Sequence, residues 1–304
     1  MTNALVSEII GAVKTRIWFG AILLGVAVGV AGATEKVLHE KRSAMGTVVV
    51  TENEEGLRTL RFEKGGARQS VVKVGDPDHI ELPYARVAMV GLAFCEKPQR
   101  VLVVGLGGGT IPGFVHKHYP DTVMDVVDID PEVVQVAKRF FGFREDATMR
   151  AHVADGRKFI EECQQPYDII MLDAFGTDNV PYRLATVEFL RAVRRALTPS
   201  GLVVGNIWCR YANPLYDAMV RTYQEAFDEL YLFDVRGAGN RILVGLPRAE
   251  RLGREELARR AKRISKEKQF RFDLGELVAY GYQRVTEKDP KARVLLDKDE
   301  PNRN

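Results

Sequence analysis

Three carboxylates stand at the ends of three apolar runs: Asp128 in Val126-Val127-Asp128-Ile129-Asp130, Asp155 after 149–153, and Asp173 after 168–172. A glycine-rich segment, Gly105-Leu106-Gly107-Gly108-Gly109, follows a fourth run, 101–104. Glycines let a backbone turn sharply and approach a ligand more closely than a Cβ allows. Placed between a strand and a helix, they aim helix N-terminal amides at that ligand. Asp128 lies 23 residues after Gly105, the spacing at which a strand-end carboxylate accepts bonds from ribose hydroxyls. A helix cap is the alternative role for such an acid, but Asp130-Pro131-Glu132 fits a cap better. Asp155, followed by Gly156, suits an adenine exocyclic amine or, equally in type, a cap on the next helix. Asp173 is placed to point into the crevice at the carboxyl edge of a sheet. The sequence has no GxxxxGK[ST] phosphate loop. An adenosyl thioether or sulfonium is therefore expected rather than a nucleotide phosphate.

The elements that must position these acids alternate. Short apolar runs at 101–104, 123–129, 149–153, 167–172, 202–207, 230–235 and 241–246 are separated by helical patterns at 111–118, 132–141, 156–163, 186–197 and 214–227. Such alternation predicts an α/β fold, a doubly wound and mostly parallel sheet with helices on both faces. Only 236–240 separates the last two runs, so the last strand is expected to be antiparallel. Three β-rich runs between 46 and 74, divided by turn residues, predict a small antiparallel β domain ahead of the sheet. Residues 82–94 read as one amphipathic helix stopped by Pro98. Residues 249–272 hold nine Lys/Arg and four Glu, the pattern of a solvated, ion-paired helix. The expected organisation is an apolar segment and linker over 1–45, a β domain over 46–80, the ligand-binding α/β domain over 81–248 and a charged helical extension over 249–304.

The chain has 304 residues, 46% hydrophobic and 28% charged. That composition excludes a mostly disordered or many-spanning membrane protein. A net charge of +3 gives no ground for a nucleic-acid partner. The three cysteines are far apart and form no metal-ligand cluster, so neither a disulfide framework nor a metal is expected. Residues 17–33 are an uncharged apolar run of 17 residues flanked by basic groups, at the lower limit for a membrane span. Ala31-Gly32-Ala33 also has the form of a cleavage site. An adenosyl donor is made in the cytosol, so the expectation is a retained anchor with a cytoplasmic catalytic domain.

Residues 46–246 resemble spermidine synthases and their methyltransferase-like relatives, which share the class I S-adenosylmethionine fold. The residues carrying the likeness are Gly107-Gly108-Gly109, Asp128-Ile129-Asp130, Asp155-Gly156, Asp173, Gln69 and Glu81-Leu82-Pro83-Tyr84. The tail 295–301 is similar to the end of bacterial members that carry membrane segments upstream. The resemblance implies S-adenosylmethionine or its decarboxylated form as donor, a small-molecule or protein amine as acceptor, and a homodimer formed through the β-rich piece. It implies cofactor-binding roles for Gln69, Gly105, Gly107, Gly108, Gly109, Thr110, Asp128, Asp155 and Gly156. Asp173 would orient or deprotonate the amine and Tyr84 would shape its pocket.

Three positions depart from the aminopropyltransferase pattern. Thr110 stands where an acid usually pairs with the ammonium of the decarboxylated donor. The second acid of an Asp-x-x-Asp loop is Gly176 here, unless Asp178 substitutes, and Ala85 replaces the polar residue after Tyr84. A neutral residue 110 does not repel the carboxylate of intact S-adenosylmethionine. Methyl transfer is therefore expected, with aminopropyl transfer or a non-catalytic adenosyl-binding scaffold as alternatives.

Overall fold

The computed structural model describes residues 35–43, 45–176 and 179–301. The apolar segment 17–33 and Asp178 lie outside the described residues. Residues 34–304 form one compact unit. Among the described residues no helix is long and apolar enough to cross a membrane.

The small sheet is antiparallel in the order β1 (Lys36–Ser43), β2 (Gly46–Glu52), β3 (Leu57–Arg61), β4 (Ser70–Lys73). It has four strands, not the three read from the sequence, and it begins at Lys36 rather than at 46. The first strand is hidden because Lys-Val-Leu-His-Glu-Lys-Arg-Ser carries charge on both faces and leaves no apolar alternation. Tertiary partners hold it instead. His39 Nε2 lies 2.8 Å from Glu132 Oε1, and Lys41 donates to the other oxygen of the same carboxylate.

The segment 82–94 is two helices, α1 (Pro83–Ala88) and α2 (Gly91–Phe94). Tight bonds from Val90 N–H to Val87 O and from Leu92 N–H to Met89 O join them. The break seats Gly91 against β9 (Leu197–Trp208), where a Cβ would come within 2.7 Å of Val204.

The large sheet also contains β5 (Arg100–Val104), β6 (Val123–Asp128), β7 (Met149–Val153), β8 (Tyr167–Leu172), β10 (Glu229–Asp234), β11 (Asn240–Leu246) and β12 (Tyr282–Arg284). Its order is β12-β10-β11-β9-β8-β5-β6-β7. β5 through β9 are mutually parallel, and β11 runs antiparallel to both β9 and β10, as the short connection requires. The continuous apolar run of β5 is explained by two cores. Val101 and Val103 pack into one and Leu102 and Val104 into the other, the period-two signature of a strand covered on both faces. The covering helices are α3 (Thr110–His118), α4 (Pro131–Phe140), α5 (Gly156–Glu161), α6 (Val187–Arg195) and α7 (Tyr216–Ala226).

Residues beyond 248 contribute to both cores. In α8 (Arg254–Glu267), Leu257, Ala261 and Ile264 recur at helical spacing and are buried in the first core. Four of its basic residues are ion-paired, among them Arg260 with Glu256 and Arg263 with Glu96. α9 (Leu274–Gly281) leads into β12, which adds an unforeseen antiparallel strand to the sheet edge. Leu295 is fully buried in the second core.

Candidate active-site cleft

Strand order reverses beside β5, with β8 on one side and β6 on the other, so a crevice opens at the carboxyl ends of these strands. The cleft there has a volume of about 460 Å3. Strand ends form its floor, α1 and the small sheet one wall, and the segment around 181–184 another.

Gly105 sits at φ 101°, and a Cβ there would lie 2.3 Å from the Asp173 carbonyl oxygen. Only glycine allows the two strand ends to meet so closely. The loop then passes through Gly107 at φ 54° and enters α3 at Gly109, φ 81°. Gly105, Gly107 and Gly156 line the cleft, whereas Gly108 and Gly109 do not. Those two face inward, Gly108 toward Ser70, Phe141 and Val72, and Gly109 toward Phe143. Their small size serves packing against these side chains.

The Asp128 carboxylate is half-buried and already accepts two backbone bonds, from Leu106 N–H at 2.9 Å and Asp130 N–H at 3.0 Å. It ties the glycine loop to β6 while lining the cleft. Burial raises its pKa, against the lowering effect of those amides. Asp130 caps α4 through Glu132 N–H, as its sequence context predicts. Its Oδ2 is buried without a partner.

Both sequence readings of Asp155 have a counterpart. Its Oδ1 caps α5 at Arg157 N–H, 2.9 Å away, and the carboxylate also lines the cleft. Gly156 is required because a Cβ would fall 2.5 Å from Val104. Thr110 and Gln69 line the cleft as well. The Thr110 hydroxyl lies 3.2 Å from Ser70 Oγ, which couples α3 to the small sheet.

Asp173 lines the cleft at the end of β8. Tyr84 Oη donates to its Oδ2 at 3.1 Å, and Asn206 Nδ2 donates to Oδ1 at 2.8 Å. Asn240 Nδ2 in turn donates to Asn206 Oδ1 at 3.0 Å. Burial pushes the Asp173 carboxyl up to about 7, although both hydrogen bonds act to lower it. Burial, with Asp173 beside it, raises the Tyr84 phenol well above its ordinary value. Tyr84 therefore stays a donor.

Asn206, Asn240, Arg183, Phe175 and Trp208 line the cleft and escaped the sequence reading. A signal existed for Asn206, a lone amide inside an apolar strand that must find a partner when buried. The rings of Phe175 and Trp208 meet edge-on at 5.7 Å and give the cleft an aromatic wall. Glu81 pairs with Arg68 and His79 and does not line the cleft. Among the described residues no group of His, Cys, Asp or Glu could hold a metal ion.

The glycine cradle, the carboxylate at the end of β6 and a second strand-end acid fit an adenosyl group. Comparison with known proteins agrees. Residues 84–233 match the spermine/spermidine synthase domain. A polyamine aminopropyltransferase of Vibrio vulnificus is 37% identical over 217 residues, which is 69% of this chain and 72% of that protein. The human eEF1A lysine and N-terminal methyltransferase is 33% identical over 187 residues, 55% of this chain but only 27% of that longer protein. Among solved structures, human methyltransferase-like protein 13 in complex with SAH is 32% identical, with a TM-score of 0.57 over 62% of this chain and 93% of that one. A probable spermidine synthase from Corynebacterium glutamicum shares the fold at 20% identity, TM-score 0.68, over 85% of this chain and 96% of that one.

Proposed function

The chain belongs to the spermine/spermidine synthase family, and we propose that it transfers a methyl group from S-adenosylmethionine to an amine. The donor, when bound, supplies an electrophilic carbon on a sulfonium. The chain's own residues bind and orient. Asp128 accepts from ribose hydroxyls, and the backbone around Gly105 and Gly107 gives the ligand close approach. Asp155 serves the adenine end, with Gln69 and Thr110 toward the opposite side.

The observation that carries the reading is Asp173. A carboxylate fixed by Tyr84 and Asn206, with its pKa raised to about 7, is suited to take a proton from an amine near neutral pH. It holds that proton on Oδ1 or Oδ2, while the aromatic wall of Phe175 and Trp208 favours a cation on an alkyl stem. Thr110 supports methyl over aminopropyl transfer. Its hydroxyl is neutral and sits beside Ser70, so it offers no counter-charge to the ammonium of a decarboxylated donor. The acceptor is a small amine or a protein amine, and aminopropyl transfer is the second reading.

Two further parts complete the proposal. The uncharged run 17–33 supports a membrane anchor, and a donor made in the cytosol supports a cytoplasmic cleft. Family resemblance supports pairing of two copies through the small sheet.

Turnover with each donor against a panel of diamines, monoamines and lysine peptides tests the reading. Methylated product from the intact donor is expected. Product from the decarboxylated donor alone would replace the first reading by the second, and no product with either would leave a binding scaffold.

A further inference from the structure

Arg183 brings a cation to the end of the cleft assigned to adenine. Its Nη1 lies 2.9 Å from Asp155 Oδ2, and both residues line the cleft. Asp155 Oδ1 is committed to the α5 cap, accepting from the N–H groups of Arg157 and Lys158. The carboxylate oxygen left over from capping is therefore the one that Arg183 holds.

The backbone that carries Arg183 is bolted in place from the far end of the chain. Arg157 Nη1 donates to the Arg183 carbonyl at 3.1 Å. Asp297 grips the same guanidinium with both oxygens, at 2.7 and 2.6 Å. The Thr186 hydroxyl donates to Asp297 Oδ1 at 2.6 Å, and buried Leu295 accepts from Val187 N–H. With backbone fixed on both sides, the part of Arg183 left to move is its side chain. That side chain is 36% exposed and its partner 20%. Ion pairs of this exposure shift an equilibrium by only about 1.5- to 5-fold, which suits a contact that is exchanged rather than one that locks.

We propose that Arg183 gates adenine recognition. Its guanidinium pairs with Asp155 and gives up that oxygen when the exocyclic amine of an adenosyl ligand takes it. Asp297, through Arg157, is the positioning residue that keeps the gate within reach. The inference rests on the adenosyl reading above and adds a competitor to it.

Calorimetric titration of S-adenosylhomocysteine into the full chain and into Arg183→Gln, Asp155→Asn and the double variant tests the gate. Arg183→Gln is expected to tighten binding about 2- to 5-fold at low salt. That gain should shrink as salt screens the pair in the parent protein, and it should vanish in the Asp155→Asn background, where the cap survives but the charge does not. Arg183→Lys, which keeps the charge on a different head group, should fall between parent and Arg183→Gln and serves if the Gln variant fails to fold. Unchanged or weaker binding by folded Arg183→Gln overturns the gate, as does a gain that persists beside Asp155→Asn. In those cases weakened binding by Asp155→Asn alone leaves the adenosyl reading standing. Undiminished binding by both Asp155→Asn and Asp128→Ala removes that reading and the gate together.

Discussion

Asn206 on β9 donates its side-chain amide across 2.8 Å to Asp173, which stands at the end of the neighbouring parallel strand β8. The bond favours the charged carboxylate, yet burial outweighs it and holds the group near 7. A base must be deprotonated to act, so the transfer rate should climb with pH and level off above about 7. Asp173→Asn should lower turnover by about 10²–10⁴ and abolish that rise, with little change in donor affinity. Asn206→Leu removes a lowering contact and should move the rising limb to higher pH. A pH-rate profile of the three proteins decides the matter, and an unmoved limb in Asn206→Leu would deny the coupling.

The same shift has a sign in stability. Asp173 binds its proton more tightly folded than unfolded, so folding is favoured by this group at acid pH. That contribution declines as pH rises from about 4 to about 7. Asp173→Asn should flatten the Tm profile across that window relative to the parent. Parallel profiles would mean that the carboxyl is not raised.

Asp128 has two duties, holding the glycine loop through Leu106 N–H and facing the cleft. Asp128→Ala should weaken S-adenosylhomocysteine binding by about 2–4 kcal/mol, the scale of two charge-assisted bonds. Asp128→Asn keeps one acceptor oxygen and should lose less. Calorimetry on both variants, with circular dichroism to verify folding, is the check.

Thr110 sits beside Ser70 at the start of α3. Thr110→Asp should shift preference toward the decarboxylated donor by about 1–3 kcal/mol. The quantity to measure is the ratio of the two affinities, and an unaltered ratio removes residue 110 from donor choice.

Gly105→Ala should cost about 1–3 kcal/mol from backbone strain at φ 101° alone. The added Cβ also meets the Asp173 carbonyl, so the variant should lose activity beyond its loss of stability. Chemical denaturation and turnover on the folded fraction separate the two effects. Full activity in that fraction would show that Asp173 tolerates displacement.

Removal of residues 1–33 should leave adenosyl-ligand binding unchanged and free the protein from membranes. Fractionation of the full-length and shortened chains reads the outcome. A full-length chain found wholly in the soluble fraction would rule out the anchor.

The sequence by itself determined the alternation of β5 to β11 with their helices, because continuous apolar runs and helical spacing are local records of burial. It also determined the antiparallel sense of β11, since a five-residue connection permits nothing else, and it placed the glycine loop and the three strand-end acids on one edge. Tertiary structure alone decided what each of those acids does. Asp173 gains its raised pKa from burial, against the lowering bonds of Tyr84 and Asn206, 89 and 33 residues away, and desolvation leaves no mark on a linear pattern. Asp155 is shared between a cap and Arg183 only once the segment near 183 is folded back by Asp297. β1 and β12 were illegible for the same reason. Their residues carry no periodic apolar signal, and they become strands because a neighbouring edge offers unpaired backbone groups.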